Sequence, residues 1–232
     1  MIKKTAMILA AGRGERMRPL TDTIPKPLLV VKHKPLIEHH IDGLKKAGYQ
    51  RIVINHAWLG EQIVSSLGDG KRFGLELQYC AEKSAFETAG GIVNALPLLC
   101  PDQQDEYFTV VSADIYTDFD FSSLPATLGG NSAHLVMVAN PAHHPMGDFY
   151  LNNGKMHESE GEKLTFSGIA VFHRRFFNSL IEQKIAVMRI APMLINAIKN
   201  GLVSGHKHQT IWSDVGTPER LAILNSSGVI QR

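Results

Sequence analysis

Gly12, Arg13, Gly14, Glu15, Arg16, Met17, Arg18 and Pro19 follow directly on an apolar run at 5–11, and Pro25, Lys26 and Pro27 come soon after. These residue types suit one task, the binding of a polyphosphate. Glycine lets backbone N–H groups approach phosphate oxygens closely. Arg13 and Arg16 add planar, multidentate donors. Lys26, between two prolines that restrict the local backbone, is a point charge that loses little freedom on binding. A strand that ends in such a loop is a common phosphate cradle.

Two familiar nucleotide motifs do not fit. A Walker loop requires Gly-Lys-Ser/Thr after a fixed gap, which this chain lacks. A dinucleotide fingerprint requires a third glycine where Met17 stands. Phosphate chemistry also calls for carboxylates to hold a divalent cation. Asp114 follows the apolar run 107–112, and Asp214 lies in the segment Trp212-Ser213-Asp214-Val215-Gly216-Thr217. The end of a strand is where open α/β sheets bind ligands. These two aspartates are 100 residues apart, so spacing alone does not bring them together. Asp118 and Asp120 read as turn residues. His39 and His40 have no carboxylate or cysteine at ligand spacing, which speaks against a transition-metal site. His143 and His144 read as loop residues beside prolines, and Trp58 as core.

The elements that must position these groups alternate. Strand patterns at 5–11, 51–55, 75–80 and 107–112 are separated by helical patterns at 36–47, 59–67 and 88–99. This is a βαβαβ order, so the fold class is α/β, a Rossmann-like mixed and mainly parallel sheet flanked by helices. The second half reads differently, with strands at 133–139, 148–151, 155–157 and 164–172, an Asn153-Gly154 hairpin turn, and a short strand at 210–213. Helical patterns at 180–182, 191–200 and 218–224 complete it. One domain over 1–232 is expected, with the alternating half that carries the phosphate loop at about 1–130 and a small β lobe within the second half at about 131–232.

Composition narrows the class further. The chain has 232 residues, 44% hydrophobic and 20% charged, with a net charge of +2 and scattered basic residues. No block of like charge points to a nucleic acid or a membrane surface as partner. No apolar run approaches the roughly 18 residues of a membrane span. The short run at 5–11 meets Gly-Arg-Gly-Glu-Arg and no small-residue cleavage site, so a secretory signal is not expected. Two cysteines, Cys80 and Cys100, make no disulfide framework. A cytoplasmic protein, a monomer or small homo-oligomer, is expected.

The block Gly12-x-Gly14-Glu15-Arg16-Met17-Arg18-Pro19 with Pro25-Lys26-Pro27 resembles the sugar-phosphate nucleotidyltransferases, and the likeness runs nearly end to end. The resemblance implies transfer of a nucleotidyl group from an NTP to a sugar 1-phosphate, with release of pyrophosphate and dependence on Mg²⁺ or Mn²⁺. It implies that Ala11, Gly12, Gly14, Glu15, Arg16 and Lys26 hold the triphosphate, and that Glu82, Thr88 and Gly90 lie at the base. Ser112, Gly147, Asp148 and Ser167 fall on the sugar-phosphate side, and Asp114 and Asp214 form the metal pair. Arg16, Lys26 and Asp114 carry the catalytic roles. Where the family commonly has Asn-Gly-Asp this chain has Ser112-Ala113-Asp114, a shorter hydrogen-bonding side chain at the first position. Narrower segments, among them 55–60, 87–92, 140–149 and 165–169, resemble the branch that joins UTP to N-acetylmuramic acid 1-phosphate in peptidoglycan recycling. A guanylyltransferase acting on mannose 1-phosphate uses the same phosphate motifs, and a non-catalytic nucleotide-sugar sensor would need fewer of them.

Overall fold

The computed structural model describes residues 4–82, 86–101 and 107–226. In chain order the elements are β1 (Thr5–Leu9), β2 (Val30–Val31), β3 (Lys34–Pro35), α1 (Leu36–Lys46), β4 (Arg51–His56), α2 (Gly60–Leu67), β5 (Glu76–Ala81), α3 (Glu87–Leu99), β6 (Tyr107–Ser112) and β7 (Ile115–Thr117). They continue with β8 (Ala133–Val138), β9 (Phe149–Asn152), β10 (Lys155–His157), β11 (Glu162–His173), α4 (Asn178–Glu182), α5 (Ile190–Lys199), β12 (Val203–Lys207), β13 (Trp212–Asp214) and α6 (Pro218–Ser226).

Nine strands form one sheet in the order β5-β4-β1-β6-β11-β8-β12-β10-β9. The first four are mutually parallel. β11 enters antiparallel between β6 and β8, and β12 returns parallel to β8. Within this sheet only β10 and β11 run against the others. The start of β11 also pairs with β9, which closes β11, β8, β12, β10 and β9 into a ring. That ring is the small β lobe, and a bulge between Phe166 and Ile169 lets β11 serve both parts.

Alternation along β1 explains the two helical layers. Met7 points to one face with Val53 and Phe108, where α3 lays down Ala89, Ile92, Ala95 and Leu99. Ala6 and Ile8 point to the other face with Ile52 and Ile54, where α1 lays down Ile37, Ile41 and Leu44. Strands buried on both faces read as continuous apolar runs, which is why the first half is so legible.

The structure departs from the sequence reading at several ends. β1 stops at Leu9, because the Ala10 N–H leaves the ladder and donates to Asn55 Oδ1 at 2.9 Å. β12 has the sequence VSGHK, whose glycine and histidine hide its alternation. The last short strand begins at Trp212, since Thr210 and Ile211 bond instead to Asp118 Oδ1 at 2.5 and 2.9 Å. Asp118, expected in a turn, thus ties two distant segments together, and Asp120 caps a short 3₁₀ helix at Phe121–Ser123, accepting from Ser122 N at 3.0 Å.

Candidate active site

The chain leaves β1 at its carboxyl end and enters the glycine-rich loop, which contains a single 3₁₀ turn at Glu15–Met17. Gly14 adopts φ +70°, and its carbonyl accepts from Met17 N at 2.9 Å and Thr21 Oγ1 at 2.8 Å. Met17, the residue that breaks the dinucleotide fingerprint, is fully buried among Leu29, Val31, Leu36, Val215 and Leu221. It pins the loop from below while the glycines face a cavity of about 810 Å³.

Arg13 and Arg16 part company. Arg13 Nη1 donates to the Thr21 carbonyl at 2.8 Å and Nη2 to Asp22 Oδ1 at 3.0 Å, and its guanidinium lies 3.8 Å from the centre of the Trp58 ring. That hydrogen bond from Arg13 holds the Asp22 carboxyl below the usual carboxylate range. Arg13 therefore braces the loop while also lining the cavity. Arg16 is exposed and, among the described residues, makes no hydrogen bond or ion pair. Trp58 is 39% exposed, lines the same cavity and donates from Nε1 to the Thr21 carbonyl at 3.0 Å. It is a wall of the cavity and not core.

Across the cavity, Lys26 Nζ sits 2.8 Å from Asp114 Oδ2. Also lining this cavity, Glu82 accepts through Oε1 from Asn55 Nδ2 at 2.6 Å and through Oε2 from Phe86 N at 3.3 Å. Thr88 lines this cavity too, whereas Gly90 is buried behind it, where a Cβ would sit 2.1 Å from the Ala186 carbonyl oxygen. Ala11, Gly12, Gly14, Glu15, Arg16 and Lys26 all line the cavity.

A second cavity of about 480 Å³ adjoins the first. Leu9, Arg16, Thr88, Ser112 and Asp114 line both, so they form a shared wall. Asp148 and Ser167 line the second cavity. Asp148 accepts from Phe166 N at 2.8 Å and from His144 Nε2 at 3.0 Å. The Ser167 hydroxyl accepts from Ile169 N at 3.1 Å inside the β11 bulge, and its carbonyl accepts from Trp212 Nε1 at 2.9 Å. Gly147 lies behind Asp148, packed on Asn140. Ser112 packs on Gly168, where a Cβ would meet its hydroxyl at 2.8 Å.

The two aspartates meet through a ribbon that the sequence did not announce. β7 and β13 pair antiparallel, with Asp214 opposite Ile115, and Val215 N donates to the Asp114 carbonyl at 2.8 Å. Asp214 Oδ2 accepts from Arg220 Nη1. The same Nη1 lies 3.0 Å from His143 Nε2, which is itself 2.9 Å from Asp214 Oδ1. An Nε2 that accepts from Arg220 has no proton to give, and Asp214 Oδ1 is buried with no hydrogen-bond donor. A buried carboxylate oxygen without a donor costs free energy unless a cation reaches it. Two aspartates with hard oxygen donors fit a divalent ion that takes its remaining ligands from phosphate and water. Among the described residues no group of three or more His, Cys, Asp or Glu side chains could hold a metal by itself.

Sequence reasoning missed Asn55, Trp58, His143 and Arg220. Asn55 lies near the carboxyl end of β4 and Trp58 just beyond it, which was the available signal. His143 and Arg220 gave none, because their meeting depends on the β7–β13 ribbon.

Known proteins resemble this chain in sequence and in fold. The pattern of the nucleotidyl transferase family matches residues 5–149. The N-acetylmuramate α-1-phosphate uridylyltransferase of Neisseria meningitidis serogroup B is 48% identical over 227 residues, 93% of this chain and 94% of that protein. The catalytic subunit beta of zebrafish (Danio rerio) mannose-1-phosphate guanylyltransferase is 26% identical over 226 residues, 92% of this chain and 61% of that protein. Among solved structures, a proposed glucose-1-phosphate thymidylyltransferase from Bacillus anthracis superposes with a TM-score of 0.82 at 22% identity, over 97% of this chain and 94% of that one. The continuous sheet, the glycine-rich loop at the end of β1 and these likenesses agree: the chain belongs to the nucleotidyl transferase family.

Proposed function

We propose that this protein transfers a uridylyl group from UTP to N-acetylmuramic acid 1-phosphate, in the cytoplasm and in the service of peptidoglycan recycling. The observation that carries the chemistry is the wall shared by the two cavities, in which Arg16 and Asp114 face both. A reaction that joins two phosphates needs two substrate sites that open on the same atoms. Uracil and the N-acetylmuramyl sugar are supported by the likeness to the Neisseria enzyme, 48% identical over nearly the whole of both chains.

The nucleophile is a phosphate monoester with a second pKa near 6, dianionic for the most part at neutral pH. It needs no general base, and none is required of the site. Rate must come from positioning and charge neutralisation. The loop N–H groups and Lys26 hold the triphosphate, with Lys26 kept in place by Asp114. Arg16, with no partner of its own among the described residues, neutralises the departing pyrophosphate. Glu82, held by Asn55, offers acceptor oxygens to the base. Asp114 and Asp214 would hold Mg²⁺, which when bound supplies neutralisation of phosphate charge.

Pyrophosphate release is the test, with each of the four NTPs against the 1-phosphates of N-acetylmuramic acid, N-acetylglucosamine, glucose and mannose. UTP with N-acetylmuramic acid 1-phosphate is expected to give the highest kcat/KM. A higher value for GTP with mannose 1-phosphate would overturn the base and the sugar together.

A further inference from the structure

Each of the two aspartates already has a cation on one oxygen. Lys26 holds Asp114 Oδ2, and Arg220 holds Asp214 Oδ2. The pairs are not alike. Lys26 belongs to the nucleotide cavity, which it lines. Arg220 stands at the divide: Gly216, over which it packs, lines the nucleotide cavity, while its partners Asp214 and His143 line the second cavity. The absence of a side chain at 216 is what permits this position. A Cβ there would fall 2.8 Å from Asp214 Oδ2 and 3.1 Å from the Arg220 guanidinium carbon.

The second cavity has a charge deficit. Among the described residues its lining contains no lysine, and Arg16 is its one arginine, shared with the nucleotide. The other basic groups are His143 and His144, and His144 is engaged by Asp148 at 3.0 Å. A phosphate dianion placed there needs fixed donors. Arg220, which lines neither cavity itself, is an unassigned source one hydrogen bond away at His143. Its guanidinium can leave one carboxylate for another anion without change of protonation.

We propose that Arg220 is a partner-switching residue. In the substrate-free protein it neutralises Asp214; when the sugar 1-phosphate arrives it moves onto that phosphate and leaves both Asp214 oxygens open to the divalent ion. This rests on the reading of the second cavity as the sugar-phosphate site. One consequence is that the free protein binds the metal weakly, because its carboxylate is already neutralised. Another is that sugar phosphate and metal strengthen one another's binding, since each gains when Arg220 moves. Such coupling is reciprocal and is typically about 5- to 150-fold.

The test uses Mn²⁺ alone as probe, with free Mn²⁺ followed by its electron paramagnetic resonance signal, without nucleotide and so without turnover. Arg220→Gln should bind Mn²⁺ about tenfold more tightly than the wild type when no substrate is present. Arg220→Met, which keeps the apolar stem, should do the same. Misfolding would loosen Mn²⁺ binding, so tighter binding cannot arise that way. Addition of N-acetylmuramic acid 1-phosphate should tighten Mn²⁺ binding by the wild type at least about fivefold more than by either variant. If both variants bind Mn²⁺ no more tightly than the wild type, Arg220 does not mask Asp214 and the proposal falls, whichever sugar is the substrate. If they bind it more tightly but the sugar phosphate acts equally on all three proteins, the switch is overturned. Pyrophosphate release by the wild type with UTP and the same sugar phosphate reports on the proposed function separately.

Discussion

Lys26 and Asp114, separated by 88 positions in the chain, form an ion pair of 2.8 Å whose two ends see different surroundings. The Lys26 side chain is 10% exposed and that of Asp114 is 47% exposed. Removing either charge therefore has unequal consequences. Without Lys26 the carboxylate remains hydrated; without Asp114 the ammonium is left buried and unpaired. Asp114→Ala is expected to cost about 1–3 kcal/mol of stability, and Lys26→Met less than about 1 kcal/mol. Urea midpoints of the two variants measure this, and equal midpoints would show that burial of Lys26 does not govern the pair. Both variants should lose turnover by at least about 100-fold.

Gly12 and Gly14 separate ligand space from backbone strain. Gly14 has φ +70°, and a Cβ there would lie 3.0 Å from Thr21 Cγ2. Gly14→Ala should lower stability by about 1–2 kcal/mol as well as activity. A Cβ on Gly12 meets nothing within 4 Å. Gly12→Ala should leave the melting temperature unchanged while UTP binding, read by calorimetry, falls at least about tenfold, because the methyl group takes up room that phosphate oxygens need. Unaltered UTP affinity in Gly12→Ala would place the triphosphate elsewhere.

How much of this was readable in the sequence depends on how local each feature is. The parallel half was legible because β1, β4 and β6 are apolar on both faces and are joined by helices of ordinary length. The loop from Gly12 to Lys26 was legible because its chemistry lies in consecutive residues. The Asp114–Asp214 juxtaposition was expected only through resemblance, since two three-residue strands, β7 and β13, bring them together and strands so short carry no periodicity. Trp58 was read as core because its size suggests burial; its N–H bond to Thr21 and the stacked Arg13 stabilise it at the cavity wall instead.

That stacking makes a separable prediction. Trp58→Phe keeps a ring under Arg13 but loses the bond to the Thr21 carbonyl, and Trp58→Ala loses both. If the pair braces the loop 12–24 without touching the reacting atoms, KM for UTP should rise stepwise through the two variants with kcat nearly constant. A fall in kcat with unchanged KM would place Trp58 in the transition state.

Stability should fall in mild acid for a reason unconnected with catalysis. Burial, with His206 beside it, pushes His134 down to about 4, and burial alone does most of the same to His40, also about 4. Their unfolded counterparts protonate near about 6.5. Between those values the unfolded chain binds more protons, so stability declines as pH drops from about 6.5 to about 4 and is insensitive to these groups above that window. His134, which contacts Ser204 Oγ at 2.9 Å and His206 Nδ1 at 2.7 Å, is the one to replace. His134→Gln should flatten the dependence of the urea midpoint on pH between 6.5 and 4.5; an unchanged slope would mean that His134 takes up its proton alike in the folded and unfolded chains.

Arg16 provides the sharpest distinction between binding and catalysis. It is exposed, it faces both cavities, and nothing among the described residues holds its guanidinium, so its removal disturbs no packing. Arg16→Ala should keep the wild-type melting temperature. An arginine that neutralises a leaving phosphate contributes about 10³- to 10⁵-fold to turnover in comparable reactions. Its loss should therefore appear in kcat and in kcat/KM alike, with UTP affinity by calorimetry little altered, because leaving-group charge grows as the bond to the α-phosphorus breaks. A rise in KM with kcat preserved would make Arg16 a ground-state contact. Lysine at this position keeps the charge but not the planar pair of donors, so Arg16→Lys should recover only part of the loss if bidentate geometry matters.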